Sequence, residues 1–277
     1  MTVQTPIEMP LLLVERPEPA IALIVLNRPQ TRNALSRAMM TALADAIAAV
    51  GADAEVSAIV LAANGPAFCA GHDLKELTAH RIDTDAGAAF YAATMTQCAG
   101  VMQAIVACPK PVIAAVEGIA TAAGCQLVAT CDLAIAADTA TFSTPGVNIG
   151  LFCSTPMVAL TRNMPRKRVM EMLLLGEALS ASDAADFGLV NRVVPSGKVR
   201  DTALGFARTI AAKSKVTVSI GKAAFYAQVD QPLDEAYAYA AEIMTKNMLH
   251  ADAREGIGAF LDKRKPKWVS ELNLGEQ

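Results

Sequence analysis

At 277 residues, with 53% hydrophobic side chains and a formal net charge of −3, the chain can bury a sizeable core without staples. The acidic balance excludes recruitment of nucleic acid or an anionic membrane by a global positive field, so any anionic ligand must be met by local cations. No apolar run approaches bilayer length, and Met1 to Glu8 carries neither a basic nor an apolar leader segment, so a soluble cytoplasmic protein is expected.

In chain order, Leu11 to Glu15 and Ala20 to Leu26 flank Arg16-Pro-Glu-Pro19 and predict an opening hairpin with prolines at its turn. Ser36 is placed to cap a helix running to about Val50, with Met39, Leu43, Ile47 and Val50 along one face. Ser57 to Ala63 reads as a buried strand, Gly65 to Ala79 as a loop, and Asp85 to Cys108 as helix. Pro111 to Val116 and Cys131 to Ala136 are short apolar runs that read as buried strands, and they bracket Gly118 to Cys131. Within that bracket Ala122 to Thr130 has helical spacing, which sets the amides of Ala122, Ala123 and Gly124 at a helix N-terminus. Such an end suits a phosphate or a developing oxyanion, and the same small residues also serve tight helix-on-sheet packing.

Phe142 to Gly150 is rich in turn residues. Helices are predicted over Thr155 to Arg162, Arg166 to Leu175 and Ser182 to Phe187, then a strand over Leu189 to Val194. Alternation of this kind favours an α/β core with parallel strands. From about Lys198 the pattern is helical in three blocks, near 198–213, 216–228 and 232–262, so the chain divides near Pro195 into an α/β core, 1–195, and a helical C-terminal region, 196–277. The six cysteines (Cys69, Cys98, Cys108, Cys125, Cys131 and Cys153) show no paired spacing of the kind zinc sites use, so reduced structural thiols and no metal are expected. The glycines lack the dinucleotide spacing, and His72, His80 and His250 have no serine elbow to serve.

Leu26-Asn-Arg-Pro29 with Arg32-Asn-Ala-Leu-Ser36, then Ala67-Phe-Cys-Ala-Gly-His-Asp-Leu-Lys-Glu76, then Lys110 to Val116 with its glycine-rich sequel, together resemble the enoyl-CoA hydratase/isomerase (crotonase) family. Ser180 to Val190 and the tail Arg254-Glu-Gly-Ile, Phe260 and Lys263-Arg-Lys265 extend the resemblance over nearly the whole chain. The resemblance implies a spiral of ββα units, a helical C-terminal trimerisation region, a homotrimer or hexamer, and an acyl-CoA bound as substrate with no further cofactor. It also implies two backbone donors for the thioester oxygen, on His72 and Ala123. Each such donor is worth roughly 3–4 kcal/mol to a transition state that builds an enolate oxyanion. CoA contacts carry over to Arg28 or Arg32, Ala70, Lys75 and Lys263, and Asp73 braces the loop.

The resemblance breaks at the acid–base pair. Where the family's hydratases place two glutamates, this chain has Gln126 and Gly146. Neither can take a proton from water, and general acid–base catalysis is typically worth about 10²–10⁴-fold. The replacements to weigh are Cys153, Ser154, Asn148 and the imidazole of His72. The other readings are a reaction that needs only the oxyanion hole, such as decarboxylation of a malonyl-type thioester or thioester hydrolysis, and a non-catalytic acyl-CoA binder.

Overall fold

The structure is a computed structural model that describes residues 9–269. It opens with strands β1 (Leu12–Glu18) and β2 (Ile21–Leu26), paired antiparallel. The expected hairpin is present with a tighter turn: Arg16 and Pro17 belong to the strand, and a register shift between Glu15 and Glu18 absorbs the proline. An irregular, largely exposed edge strand of this kind resists pairing with other chains. Helix α1 (Arg37–Ala52) follows, with the Ser36 hydroxyl accepting from the Met39 N–H. Met39, Leu43, Ile47 and Val50 are all buried, as the helical spacing requires.

From there the chain repeats one unit. Strand β3 (Ala58–Ala63) joins one sheet, β4 (Ala67–Cys69) joins a second, and helices α2 (Leu74–Ala79) and α3 (Ala88–Ala107) return. Next come β5 (Val112–Val116), β6 (Ile119–Thr121) and α4 (Ala123–Thr130), then β7 (Leu133–Ala137), β8 (Thr141–Ser143), α5 (Ser154–Leu160) and α6 (Arg166–Leu175). The short β9 (Leu179–Ser180), α7 (Ala181–Asp186) and β10 (Arg192–Val194) close the core. The larger sheet runs β1-β2-β3-β5-β7-β10, parallel beyond the first pair, and the smaller runs β4-β6-β8-β9. Each ββα unit therefore gives one strand to each sheet.

The parallel strands β2 and β5 are buried along their whole length, so their sequences are continuously apolar rather than alternating. Four of the smaller sheet's strands were not expected from sequence, and Gly65 to Ala79, read as a loop, contains both β4 and α2. The four C-terminal helices are α8 (Val199–Ala211), α9 (Lys215–Gln228), α10 (Leu233–Leu249) and α11 (Ala251–Leu261). The third expected block is thus split at His250, whose ring nitrogen accepts from the Asp252 N–H. Helix α8 lies against β3, β5 and β7 and buries Val199, Ala203, Leu204 and Ala207 in the main core, so the helical region begins with a helix packed on the sheet.

Helix α9 is tied to the core by a polar bracket. The Lys222 ammonium donates to the carbonyls of Ile105 and Lys110 and to Asp132 at 2.7 Å, while Tyr226 donates to the same carboxylate at 2.9 Å. Both oxygens of this carboxylate are used: Oδ1 accepts from Tyr226, and Oδ2 accepts from Lys222 and from the Val112 N–H at the start of β5.

Candidate active site

The site is built on two loops that meet where β4 and β6 end. After β4, His72 forms a bridge with Leu35: the Leu35 N–H donates to the Gly71 carbonyl at 2.7 Å, and the Asp73 N–H donates to the Leu35 carbonyl at 3.4 Å. Both bonds lie on one side of the chain, so the His72 N–H between them points to the other side, where it has no acceptor among the described residues. Asp73 then caps α2, accepting from the N–H groups of Lys75 and Glu76 at 2.9 and 3.2 Å.

Facing this loop is the start of α4. Ala122 is its N-cap, with φ 50° and ψ −119°, a conformation rare for a residue with a Cβ. Ala122 donates to the Ser143 carbonyl, and Ala123 opens the helix with the unpaired N–H that every first turn presents. The two loops are close: a Cβ on Gly71 would lie 3.3 Å from the Ala123 nitrogen. Gly124 allows this approach, because a Cβ there would stand 2.1 Å from the Cys69 carbonyl oxygen. Gly124→Ala is accordingly expected to destabilise the protein by about 3 kcal/mol or more, the upper end of overpacking costs. Thermal unfolding measures it, and an unchanged midpoint would show that the loops can part.

The two positions at which the resemblance leads one to expect glutamates, Gln126 and Gly146, are both buried. Gln126 is 4% exposed on α4, and its side-chain oxygen lies 3.9 Å from the Cys98 thiol on α3. At Gly146 the limit is space. A Cβ would meet the Cys153 sulfur and the Leu151 carbonyl, each at 2.9 Å, and the backbone there is not left-handed. Of the proposed substitutes, Cys153 is buried and its thiol is pushed up by desolvation. Ser154 is exposed and turned back on its own loop, its hydroxyl donating to the Phe152 carbonyl at 3.3 Å. Asn148 is exposed, with its amide toward Gly176. Neither ring nitrogen of His72 has a hydrogen-bond partner, and burial holds its pKa below the ordinary imidazole value, which leaves the ring neutral at pH 7.

All six cysteines are free and buried. Desolvation raises Cys69 and Cys125 to about 12 and Cys98 to about 11. A thiol reagent at pH 7.5 is therefore expected to label the native protein slowly and all six sites after unfolding. Fast labelling of Cys153 alone, mapped by mass spectrometry, would restore it as an acid–base candidate.

The cationic residues fall into two groups. The 28–33 turn lies beside the loop after β4, since the Ala70 N–H donates to the Arg32 carbonyl at 3.0 Å. Asn33, which sequence reasoning passed over, knits the two: its side chain accepts from the Arg28 N–H and donates to the carbonyls of Asn64 and Ala67. The available signal was an asparagine in a turn, and here it takes φ 52°. Arg28, Arg32, Ala70 and Lys75 thus cluster around one loop pair, whereas Lys263 stands in a left-handed turn after α11. Among the described residues no group of three His, Cys, Asp or Glu side chains could hold a metal, and no helix is long and apolar enough to cross a membrane. A separate concavity of about 360 Å³ between the ends of α1 and α3, lined by Ile47, Gly51, Ala104 and Cys108, holds none of these groups.

Repeated ββα units that give one strand to each of two sheets define a class, and the chain belongs to the enoyl-CoA hydratase/isomerase (crotonase) family. A sequence model of that family, described as Enoyl-CoA hydratase/isomerase, matches residues 16–271. Among its relatives, human enoyl-CoA hydratase domain-containing protein 3, mitochondrial, is 48% identical over 248 residues, 90% of this chain and 80% of the relative. The rat protein of the same name is 45% identical over 94% of this chain and 85% of the relative. A crystal structure of enoyl-CoA hydratase from Mycobacterium smegmatis is similar at a TM-score of 0.89 and 50% identity, covering 94% of this chain and 99% of that one. The mitochondrial names of these relatives overturn the expectation of a cytoplasmic protein. Composition and net charge set solubility, and they do not encode a compartment.

Proposed function

We propose that the protein binds acyl-CoA thioesters and polarises the thioester carbonyl between the N–H groups of His72 and Ala123, stabilising an enolate as a lyase or isomerase of its family. The observation that carries this is the Leu35–His72 bridge, which turns one unpaired N–H toward the loop pair that also presents the first N–H of α4. Donors fixed by backbone geometry need no reorganisation when charge develops on oxygen. Arg28, Arg32, Lys75 and the Ala70 backbone supply the nucleotide end of the ligand with local cations and a hydrogen-bonding edge, and Lys263 takes a phosphate. The substrate is the CoA thioester itself, with no further cofactor. The mitochondrial names of the human and rat relatives support a mitochondrial location.

Calorimetry with acetyl-, crotonyl- and longer acyl-CoA tests the reading. Binding by at least one of them is expected, and no heat or competition at millimolar ligand from any would end it.

The crowding at Gly146 favours a second reading of the reaction step. With no room for a side chain there and a neutral amide at Gln126, an enolate formed without a general base fits the site better than hydration does. Loss of CO₂ from a malonyl-type thioester is such a step: the bond from the α-carbon to the carboxyl carbon breaks, its electron pair passes into the enolate, and a proton later adds to the α-carbon. Thioester hydrolysis and acyl-CoA binding without turnover are separated from it by product analysis.

The protein is further proposed to assemble as a homotrimer or a dimer of trimers. Tyr237, Met244 and Leu249 on α10 and Phe260 on α11 are exposed apolar side chains that association would cover. Sedimentation of a monomer at micromolar concentration would refute this.

A further inference from the structure

The chain after α11 is fastened at several points. Arg264 forms a two-pronged pair with Glu255, at 2.6 and 2.9 Å, and the same carboxylate accepts from the Lys267 N–H at 2.7 Å. Trp268 donates from its indole nitrogen to the Ala212 carbonyl at the end of α8, 3.1 Å away, and its ring lies over Gly256, where a Cβ would approach it to 3.2 Å. Between these fastenings the helix ends in a Schellman turn: Arg264 N–H donates to the Ala259 carbonyl at 2.9 Å and Lys263 N–H to the Phe260 carbonyl at 3.2 Å.

The left-handed position of that turn, φ 54°, is one where glycine is the usual residue, and here it is held by Lys263. The Lys263 side chain is exposed and forms no ion pair among the described residues. Glu255 lies nearby but is spent on Arg264, whose hydrogen bonds hold its carboxyl down to about 2, so the pair stays ionised and mutually neutralised at any working pH. The result is a free ammonium on a main chain that has already been ordered.

We propose that Glu255 and Arg264 are positioning residues for phosphate recognition, fixing the turn that presents Lys263 to the phosphate of a bound CoA. The inference rests on the assignment of Lys263 as a CoA contact made above. Ordering the turn in advance lowers the entropy lost on binding, which is where affinity from a flexible lysine is otherwise forfeited. Geometry and field predict opposite signs for Glu255→Gln. Removing a carboxylate beside a phosphate site strengthens binding through the field alone, whereas opening the clamp weakens it.

The experiment compares CoA with dephospho-CoA, which lacks the 3′-phosphate, by calorimetry on wild type, Lys263→Ala, Glu255→Gln and Arg264→Gln. The emission of Trp268, the sole tryptophan of the chain, reports whether the tail has come away. Wild type is expected to prefer CoA by about tenfold, as one charge-assisted contact allows. Both clamp variants are expected to lose most of that preference and to shift the tryptophan emission to the red, with dephospho-CoA affinity unchanged. Retention of the full preference in Glu255→Gln with red-shifted emission overturns the proposal, and so does an equal weakening of both ligands, which marks a structural role only. A wild type that binds the two ligands equally, with Lys263→Ala no different, removes the Lys263 assignment itself and the clamp's function with it.

Discussion

Crotonyl-CoA is expected to be hydrated by the unmodified protein roughly 10²–10⁴-fold more slowly than the ~10 s⁻¹ typical of enzymes. Water addition needs one group to deprotonate water and one to protonate the α-carbon. At the positions where the resemblance would put those groups stand an amide, Gln126, and no side chain at all, Gly146. The neighbouring titratable groups do not replace them, because Cys153 and His72 are both held in their neutral forms by burial. Restoring both carboxylates is not expected to rescue the rate. A glutamate at 146 must displace Cys153 or the Leu151 carbonyl, with its first side-chain atom already at 2.9 Å from each. Gln126→Glu alone would place an acid in a site 4% exposed, where desolvation keeps it protonated. Loss of the enoyl absorbance measures the rate. If the wild type turns over at ~10 s⁻¹ or more, the account of Gln126 and Gly146 is wrong, and Cys153 and His72 become the first residues to replace.

Ala123→Pro is expected to lower turnover of any thioester the protein consumes by about 10²–10³-fold, against less than tenfold for Gln126→Ala. Proline removes the N–H that Ala123 contributes, yet it sits at the first position of α4, where a helix accepts proline. The helix can therefore survive while the donor is lost. The affinity for acyl-CoA should fall in the same order, because the ground-state carbonyl uses the same donors more weakly. Circular dichroism establishes that both variants are folded. The reverse ranking in folded proteins would move the chemistry onto Gln126.

Much of the larger sheet was legible in the sequence because its strands are buried on both faces and its helices carry strong local signals. Ser36 before an apolar stripe announced α1, and the runs at Pro111 and Cys131 announced β5 and β7. The smaller sheet was not legible, since β4, β6 and β8 have three residues each and β9 two, too short for any periodicity to register. The helix start at Ala123 could be read from small residues, but the left-handed entry at Ala122 could not, because nothing local favours it. At the site, the identities of Gln126 and Gly146 were plain from the outset. That Gly146 is closed to a side chain was not, because the atoms that close it, on Leu151 and Cys153, come from a turn that returns over it. Asn33 was missed for the same reason: its partners Asn64 and Ala67 are more than thirty residues away.

The contact between Gly124 and the Cys69 carbonyl has a consequence for how this protein can change. The spacing of the two loops is gauged where the Gly124 main chain rests on the carbonyl and Cβ of Cys69. The positions weighed for moving protons, 126 and 146–154, are not among the atoms that meet Gly124. Exchanges there that respect the crowding at Gly146 are expected to leave the Gly124 contact in place. On the proposed function, polarising a carbonyl and shuttling a proton are in this sense separately replaceable parts, so a library confined to 126 and 146–154 is expected to search for new reactions while the loop contact at Gly124 is kept.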